Sequence, residues 1–320
     1  MSDARGRLVG AHAAPWPEPL AEAALPPAPR RETLAVVPRE ARTLPLPEGS
    51  GARAGRPTSS RAALGRTVRA LSQLELPDWS DVAATSWWEE DADPLMIADS
   101  GLRIVSGEQP AFGVPRVITA EPAYAQAVDW MVCAALASVA RPGSPSYYFR
   151  LTTRPLDQAP FDAASERLGP AVLRRHLLTG AYRLVAGTVG RPRRVQIAAV
   201  GPAIPEALVA AAALEEEGIC ADVVDVVSAD SVYAAWQRSL ARAVGAAATP
   251  AIPGALRQAF DLRAPVVAVH DQATTTLAWL GSALGVPLVT VAPAQGSDRS
   301  LRAPVDPGTV VSAALAALSL

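Results

Sequence analysis

The last 130 or so residues alternate short apolar runs with helical segments, and this alternation restricts the fold more than any other feature. The apolar runs are near-continuous in Val, Ile and Ala, which is typical of parallel strands buried on both faces. The predicted strands are Val195–Val200, Ala221–Val227, Pro265–Val269 and Val286–Val291, and the helices that follow them are Ile204–Glu217, Ser231–Val244, Ala273–Leu284 and Asp306–Leu318. We therefore predict an α/β fold, a doubly wound and mostly parallel sheet over residues 191–320.

A second, smaller α/β unit is predicted upstream, over residues 76–190. Short β-forming runs predict strands at Pro94–Ala98, Arg116–Thr119 and Tyr147–Thr152. Between the last two, Glu121–Ala140 has apolar residues at three- and four-residue intervals, and Pro122 suits a first helical turn. We predict a helix there and a partial α/β domain overall.

Residues 1–75 are expected to form a flexible tail. Ten of the 30 prolines fall within the first 60 residues, and Pro15–Pro19 and Pro26–Pro29 suit extended polyproline segments. One short piece, Val36–Thr43, has the composition of an ordered strand and turn.

The stretch Leu71–Gly101 has no basic residue and eight acidic ones, with Trp79, Trp87 and Trp88 among them. A solvated acidic loop is one interpretation. The others are a docking segment for a basic partner, with the tryptophans as anchors, and an internal contact with the Arg-rich tail.

The overall composition excludes several classes of function. The 29 basic residues oppose 31 acidic ones, and a net charge of -2 argues against general binding to nucleic acid or to anionic membranes. All the basic residues are Arg and there is no Asn, so a Lys Schiff base, a Walker A lysine and an Asn metal ligand are impossible. No apolar run reaches membrane-spanning length and no signal-peptide pattern begins the chain, so we expect a cytoplasmic protein.

The strand ends offer little recognisable chemistry. Gly201–Pro205 contains two prolines, so it cannot supply the run of backbone N–H groups that holds a phosphate, and the chain has neither GxGxxG nor a P-loop. His270 and Asp271 end a predicted strand and could form an acid–base pair, but neighbouring strand residues point to opposite faces. We favour a structural role for His270.

The remaining candidates are also interpreted as structural or solvated. Cys133 and Cys220 are isolated in apolar surroundings and are predicted to be buried, inert thiols. His12 and His176 complete the three histidines without forming a triad. Asp298 and Arg299 lie in a polar loop, and Glu215–Glu217 end a helix and are expected to face solvent. No catalytic, cofactor-binding or metal-binding residue is predicted.

Several segments together resemble the homodimeric type of pyruvate dehydrogenase E1 component, in the transketolase-like superfamily. Their order and spacing agree over about 200 residues. The matching segments are Ile118–Ala125, Ser146–Thr153, Gly180–Leu184, Val195–Val223, Pro265–Asp271 and Val310–Leu318, with a shorter match at Val37–Thr43. The resemblance implies a remnant pyrimidine domain followed by a complete C-terminal domain.

The departures from that family concern the cofactor. Family members are nearly three times as long, and the domain that holds the diphosphate and magnesium has no counterpart here. The glutamate that activates the aminopyrimidine ring is not found, and the family's functional loops are replaced at Gly101–Gly107, Arg154–Leu156 and Gly296–Ser300. Thiamine diphosphate and Mg are thus expected only if a partner chain completes the site.

The resemblance implies an E1-like protein that is not catalytic alone and has an assembly or binding role. The alternative is one component of a split thiamine-diphosphate-dependent 2-oxoacid dehydrogenase, which decarboxylates pyruvate and transfers acetyl to lipoamide once another chain completes it. An unrelated doubly wound hydrolase is disfavoured because no Gly-x-Ser-x-Gly is present.

A partner is expected in either case. In the resembled family the pyrimidine domain packs against a diphosphate domain, normally of a second subunit. Without that domain, the helix Glu121–Ala140 should leave apolar surface uncovered at Val128, Met131, Val132, Leu136 and Val139. We therefore expect a homodimer or a complex with a separate thiamine-domain chain.

Overall fold

The computed structural model describes residues 56–72, 104–107, 116–139, 145–271, 274–293 and 305–320. Several predictions lie outside these residues. They are the tail segments before residue 56 with His12, the strand Pro94–Ala98, the acidic stretch beyond residue 72 with its three tryptophans, and Asp298 with Arg299.

The upstream unit contains a small, entirely parallel sheet of three strands in the order β1-β3-β2. Strand β1 is Ile104–Gly107, β2 is Val117–Ala120 and β3 is Ser146–Arg150. Strands β2 and β3 confirm the predicted positions to within two residues at each end. Strand β1 was not predicted.

Helix α1 (Ser60–Ser72) lies inside the range predicted as a tail, so that prediction is wrong for residues 56–72. The helix packs on α2 (Ala125–Val139) through the buried side chains of Ala63 and Leu64. The hydroxyl of Thr67 also donates to the carboxylate of Asp129. Packing between the helices stabilises a segment whose local composition did not predict a helix.

Helix α2 differs from its prediction in two respects. It begins at Ala125, and the backbone N–H of Glu121 donates to Val227 at the junction with the larger sheet. Val128, Met131 and Val132 are buried, so the expectation of an uncovered apolar patch at these residues is wrong. Packing against α1 of the same chain contributes to this burial.

Two short helices, α3 (Ala159–Leu168) and α4 (Pro170–Leu178), connect the two units. Gln158, just before α3, donates to the carbonyls of Thr58 and Leu156 and accepts from the N–H of Ala125. This buried amide thereby fixes the beginning of the described chain against the start of α2.

The C-terminal unit has a five-stranded sheet in the order β4-β6-β5-β7-β8. Strand β4 is Tyr182–Val185, β5 is Arg194–Ala199, β6 is Cys220–Asp225, β7 is Val266–Val269 and β8 is Leu288–Val291. All pairings are parallel except that of β4 with β6. The α/β class with a doubly wound, mostly parallel sheet is confirmed, and the antiparallel edge strand was not predicted.

Helices cover both faces of this sheet, as predicted. Helices α5 (Ile204–Glu216) and α9 (Pro307–Ala317) enclose one hydrophobic core, which continues into the upstream unit. Helices α6 (Ala229–Ala246), α7 (Gly254–Ala259) and α8 (Leu280–Leu284) enclose the other. Alternate residues of each central strand enter opposite cores.

The predicted helix Ala273–Leu284 is wrong in part, since a 3-10 turn at Thr274–Thr276 precedes the shorter α8. Three consecutive β-branched residues disfavour a regular helix there. Asp306 caps α9, because its carboxylate accepts from the N–H of Thr309. In the part of the chain described here, no helix combines the length and the apolar character needed to cross a membrane.

Candidate functional site

The carboxyl ends of β2 and β3 meet the carboxyl end of the larger sheet. The N–H of Glu121 donates to Val227 at 2.7 Å, and the N–H of Thr119 donates to the Asp230 carboxylate at 3.1 Å. The Ser228 hydroxyl donates to the carbonyl of Thr119 at 2.8 Å. Ligands of open parallel sheets bind at the carboxyl ends of the strands, so this junction is the candidate site.

Arg150, the last residue of β3, lies between two carboxylates at the junction. Its Nη1 donates to Glu121 at 2.5 Å, and its two Nη atoms donate to the two oxygens of Asp271 at 2.9 and 2.5 Å. The side chains of Arg150 and Glu121 are 7% and 6% exposed, whereas that of Asp271 is 23% exposed. The guanidinium thus compensates both carboxylates, and the cluster reaches solvent at Asp271.

The electrostatics of this cluster favour its fully ionised form. Burial alone would raise the pKa of Glu121, but the charge of Arg150 and the contacts with His270 outweigh it and lower the pKa to about 2. Burial also disfavours the charged form of Arg150, and the two carboxylates overcome this and raise its pKa. A charge-assisted bidentate pair of this kind holds its partners in a defined geometry.

His270 completes the cluster. Its Nε2 lies 3.8 Å from Glu121 Oε1, and its Nδ1 lies 3.4 Å from Asp271 Oδ1. The ring is buried. His270 and Asp271 were expected to point to opposite faces of a strand, but their side chains meet. Strand β7 ends at Val269, so the alternation of a strand does not apply to these two residues. The structural role favoured for His270 is compatible with a ring enclosed between two carboxylates.

Sequence reasoning did not identify Glu121 or Arg150 as site residues. A signal was present, since each is a charged residue next to a buried apolar strand, and a buried charge requires a partner. The sequence did not show that Arg150 would pair with both Glu121 and Asp271. Asp271 lies too far along the chain from Arg150 for local patterns to predict the contact.

The ligand atoms of Glu121, His270 and Asp271 lie within 4.8 Å of one another, which is a spacing that could hold a metal ion. Carboxylate and imidazole groups are suitable ligands for zinc and similar ions. Here, however, Arg150 already contacts both carboxylates. A divalent ion would have to displace the guanidinium, so the donor set does not fit a metal beside Arg150.

The same residues do not fit thiamine diphosphate. That cofactor needs a diphosphate–metal anchor and a carboxylate that can exchange a proton with a ring nitrogen. Glu121 is held ionised in its pair with Arg150, and its pKa of about 2 makes it a poor proton donor. In the described residues, the only group of three or more potential metal ligands is the cluster that Arg150 compensates.

A protonatable carboxyl lies near this cluster at the end of β6. The Tyr182 hydroxyl donates to Asp225 Oδ2 at 2.8 Å, and Asp225 Oδ1 has no hydrogen-bond partner. Burial raises the pKa of Asp225 to about 7, the hydrogen bond from Tyr182 opposes the rise, and the negative charge of Glu121 adds to it. Asp225 is thus a buried acid whose protonation changes near neutral pH.

The remaining candidates are distributed outside the junction. Cys133 and Cys220 are buried free thiols, as predicted, and burial raises the pKa of Cys133 to about 11. With so high a pKa, the Cys133 thiol is inert as a nucleophile near neutral pH. His176 is half-buried on α4, and burial and Arg175 lower its pKa.

Glu215 differs from the expectation of a solvent-facing carboxylate. Its Oε1 accepts from the N–H groups of Thr188 and Ala221, and its Oε2 lies 3.1 Å from Arg191 Nη2. Burial opposes ionisation, but these hydrogen bonds and Arg191 lower the pKa of Glu215. Glu216 and Glu217 are exposed, as predicted. Glu215 therefore joins the β4–β5 connection to α5.

Comparison with known proteins gives matches among solved structures alone. Neither the protein-family models nor the curated proteins give a match. A Pichia stipitis transketolase in complex with sedoheptulose-7-phosphate is 14% identical with a TM-score of 0.46, over 70% of this chain and 31% of that one. A Campylobacter jejuni transketolase is 11% identical with a TM-score of 0.47, over 88% of this chain and 48% of that one.

A split-gene transketolase described as an inactive β4 tetramer is 15% identical with a TM-score of 0.47, over 82% of this chain and 99% of that one. The chain spans about a third of the length of the Pichia transketolases it matches. Likeness at this level concerns the fold alone.

Proposed function

We propose that the chain is a pyruvate dehydrogenase E1-like protein that is not catalytic alone and acts in assembly or binding. The observation that carries this proposal is the position of Arg150 between Glu121 and Asp271. The guanidinium occupies the junction where the strand ends of the two sheets meet. The resembled segments that contain these three residues support the family part of the proposal.

A closed ionic cluster suits a structural role better than catalysis. A general acid or base works best when its pKa lies near the operating pH. The pKa of Glu121 is far below that range, and the carboxylate is already paired. The ionised side chains of Arg150, Glu121 and Asp271 instead connect β2 and β3 to the end of β7. They thereby hold the smaller sheet against the larger one.

The outer face of α5 and α9 supports the assembly part of the proposal. Helix α9 has no charged residue, and α5 has charges only near its two ends. Val209 is 57% exposed and Leu315 is 42% exposed on these adjacent helices. A helix that is apolar on all sides is normally covered on all sides, so this face suits contact with a second protein surface.

Calorimetric titration of the purified full chain with thiamine diphosphate and Mg²⁺ tests the proposal. We expect no binding heat, because the described residues include no other metal-ligand group that could anchor a diphosphate, and Glu121 is held by Arg150. A homodimeric-type E1 enzyme titrated in parallel is the positive control. Micromolar binding by the lone chain would overturn the proposal. Binding that appears only with a second, thiamine-domain chain would favour the split dehydrogenase instead.

A further inference from the structure

Three aromatic side chains form a half-buried cluster over the second hydrophobic core, on the sheet face opposite α5 and α9. Tyr233 and Trp236 come from α6, and Trp279 precedes α8. The two indoles are stacked, with ring centroids 5.7 Å apart, and the Tyr233 ring meets Trp279 nearly edge-on at 5.3 Å. Each ring is partly exposed and the Tyr233 ring is inclined to both indoles, so the cluster forms an uneven aromatic surface.

Besides the Tyr233 hydroxyl, this surface carries two indole N–H donors. The indole N–H of Trp279 donates to the carbonyl of Thr276 at 2.9 Å and is satisfied. The half-buried side chain of Trp236 contributes a second indole N–H. An indole nitrogen can only donate. The surface therefore suits a ligand with apolar rings and exposed carbonyl oxygens, which is the chemistry of a proline-rich segment.

The chain contains such a segment outside the described residues, at Pro26–Pro29. Its sequence Pro-Pro-Ala-Pro places two prolines three positions apart. A polyproline II helix has three residues per turn, so Pro26 and Pro29 would lie on the same edge. We propose that the aromatic cluster of Tyr233, Trp236 and Trp279 binds the Pro26–Pro29 segment of the same chain, with the Trp236 N–H donating to a backbone carbonyl.

The chain between the two parts is long enough for this contact. Twenty-six residues separate Pro29 from Arg56, where the description begins. Fully extended, they span roughly 85 Å. A domain of this size has a radius of gyration of about 18 Å. Tethering also raises the effective concentration of the segment toward the millimolar range, so weak affinity is sufficient.

Hydroxyl-radical footprinting of the full chain tests the proposal, with the oxidation rates of Trp236 and Trp279 read by mass spectrometry. The variant Pro26→Ser/Pro29→Ser removes the apolar edge of the segment. We expect the oxidation rate of Trp236 to rise at least twofold relative to the unmodified chain. The matched control Pro45→Ser/Pro47→Ser changes two prolines of the same region and is expected to leave the rate unchanged. Trp130, which is 5% exposed, should react equally in all three proteins and reports an intact core.

Equal Trp236 rates in the unmodified chain and in Pro26→Ser/Pro29→Ser would overturn the proposal. A tenfold dilution separates the two possible sources of the segment. Protection that stays constant supports binding within one chain. Protection that is lost on dilution would overturn the intramolecular contact and assign the bound segment to a second copy.

Discussion

Arg150 and Asp271 form two parallel N–H···O bonds, of 2.9 and 2.5 Å, although 121 positions separate them in the sequence. Arg150 ends the middle strand of the small sheet, and Asp271 follows a strand of the large one. The pair therefore connects the two sheets directly. Because Glu121 shares the same guanidinium, removing Arg150 would leave two carboxylates uncompensated at the junction.

The variant Arg150→Met tests whether this cluster stabilises the fold. Methionine keeps much of the side-chain length and removes the charge, so Glu121 stays buried without its cation. Breaking a buried pair in this way costs about 3–5 kcal/mol of unfolding free energy. Denaturant unfolding measures it. The control Arg238→Met replaces an exposed arginine of α6 and should change the free energy by at most about 0.5 kcal/mol.

Coupling within the cluster is tested by adding Glu121→Gln. The double variant Glu121→Gln/Arg150→Met removes both charges of the pair, so its cost should be smaller than the sum of the two single costs. Strict additivity would show that the two residues do not stabilise each other. A similar small loss in Arg150→Met and Arg238→Met would contradict the stabilising role altogether.

The buried acid Asp225 predicts a stability that falls as the pH rises. Its pKa is about 7 in the folded chain and 3.8 in its ordinary state. Between these values the folded chain binds one more proton than the unfolded chain, so unfolding free energy decreases from about pH 4 to pH 7. The loss amounts to roughly 4 kcal/mol at about 1.4 kcal/mol per pKa unit.

Asp225→Asn should remove this pH dependence, because the amide oxygen can still accept from Tyr182 and carries no charge. The measurement is the difference in unfolding free energy between pH 5 and pH 8, for the variant and for the unmodified chain. Glu121 does not interfere, since its lowered pKa affects stability only below about pH 4.5. Equal pH dependence in the two proteins would show that Asp225 is ionised throughout.

The regular part of the fold could be predicted because its signals are local. The Val-rich run of β7 and the Asp306 cap of α9 each depend on residues within a few positions of one another. Helix α1 could not be predicted in the same way. Its sequence lies in a tail of unfavourable composition, and its helix is stabilised by α2, whose sequence begins more than 50 positions later.

The candidate site could not be assembled from the sequence for a related reason. His270 and Asp271 were visible as a polar pair at a strand end. Their partners Glu121 and Arg150 come from another sheet, which tertiary contacts such as that of Glu121 with Val227 bring near. The antiparallel strand β4, which positions Tyr182 beside Asp225, was equally hidden because pairing direction depends on tertiary structure.

The final prediction concerns self-association through α5 and α9. If these apolar outer faces contact a second copy, Val209→Glu and Leu315→Glu should each weaken association, because a buried unpaired charge at an interface is costly. The matched control is Val244→Glu on α6, where the side chain is 82% exposed and lies on the opposite side of the sheet.

Light scattering at micromolar concentration should show a dimer or larger species for the unmodified chain and for Val244→Glu, and a smaller mass for the other two variants. All three substituted side chains are exposed, so folding should be retained, and circular dichroism checks it. A monomeric unmodified chain, or equal masses for Val209→Glu and Val244→Glu, would remove the assembly role from this face.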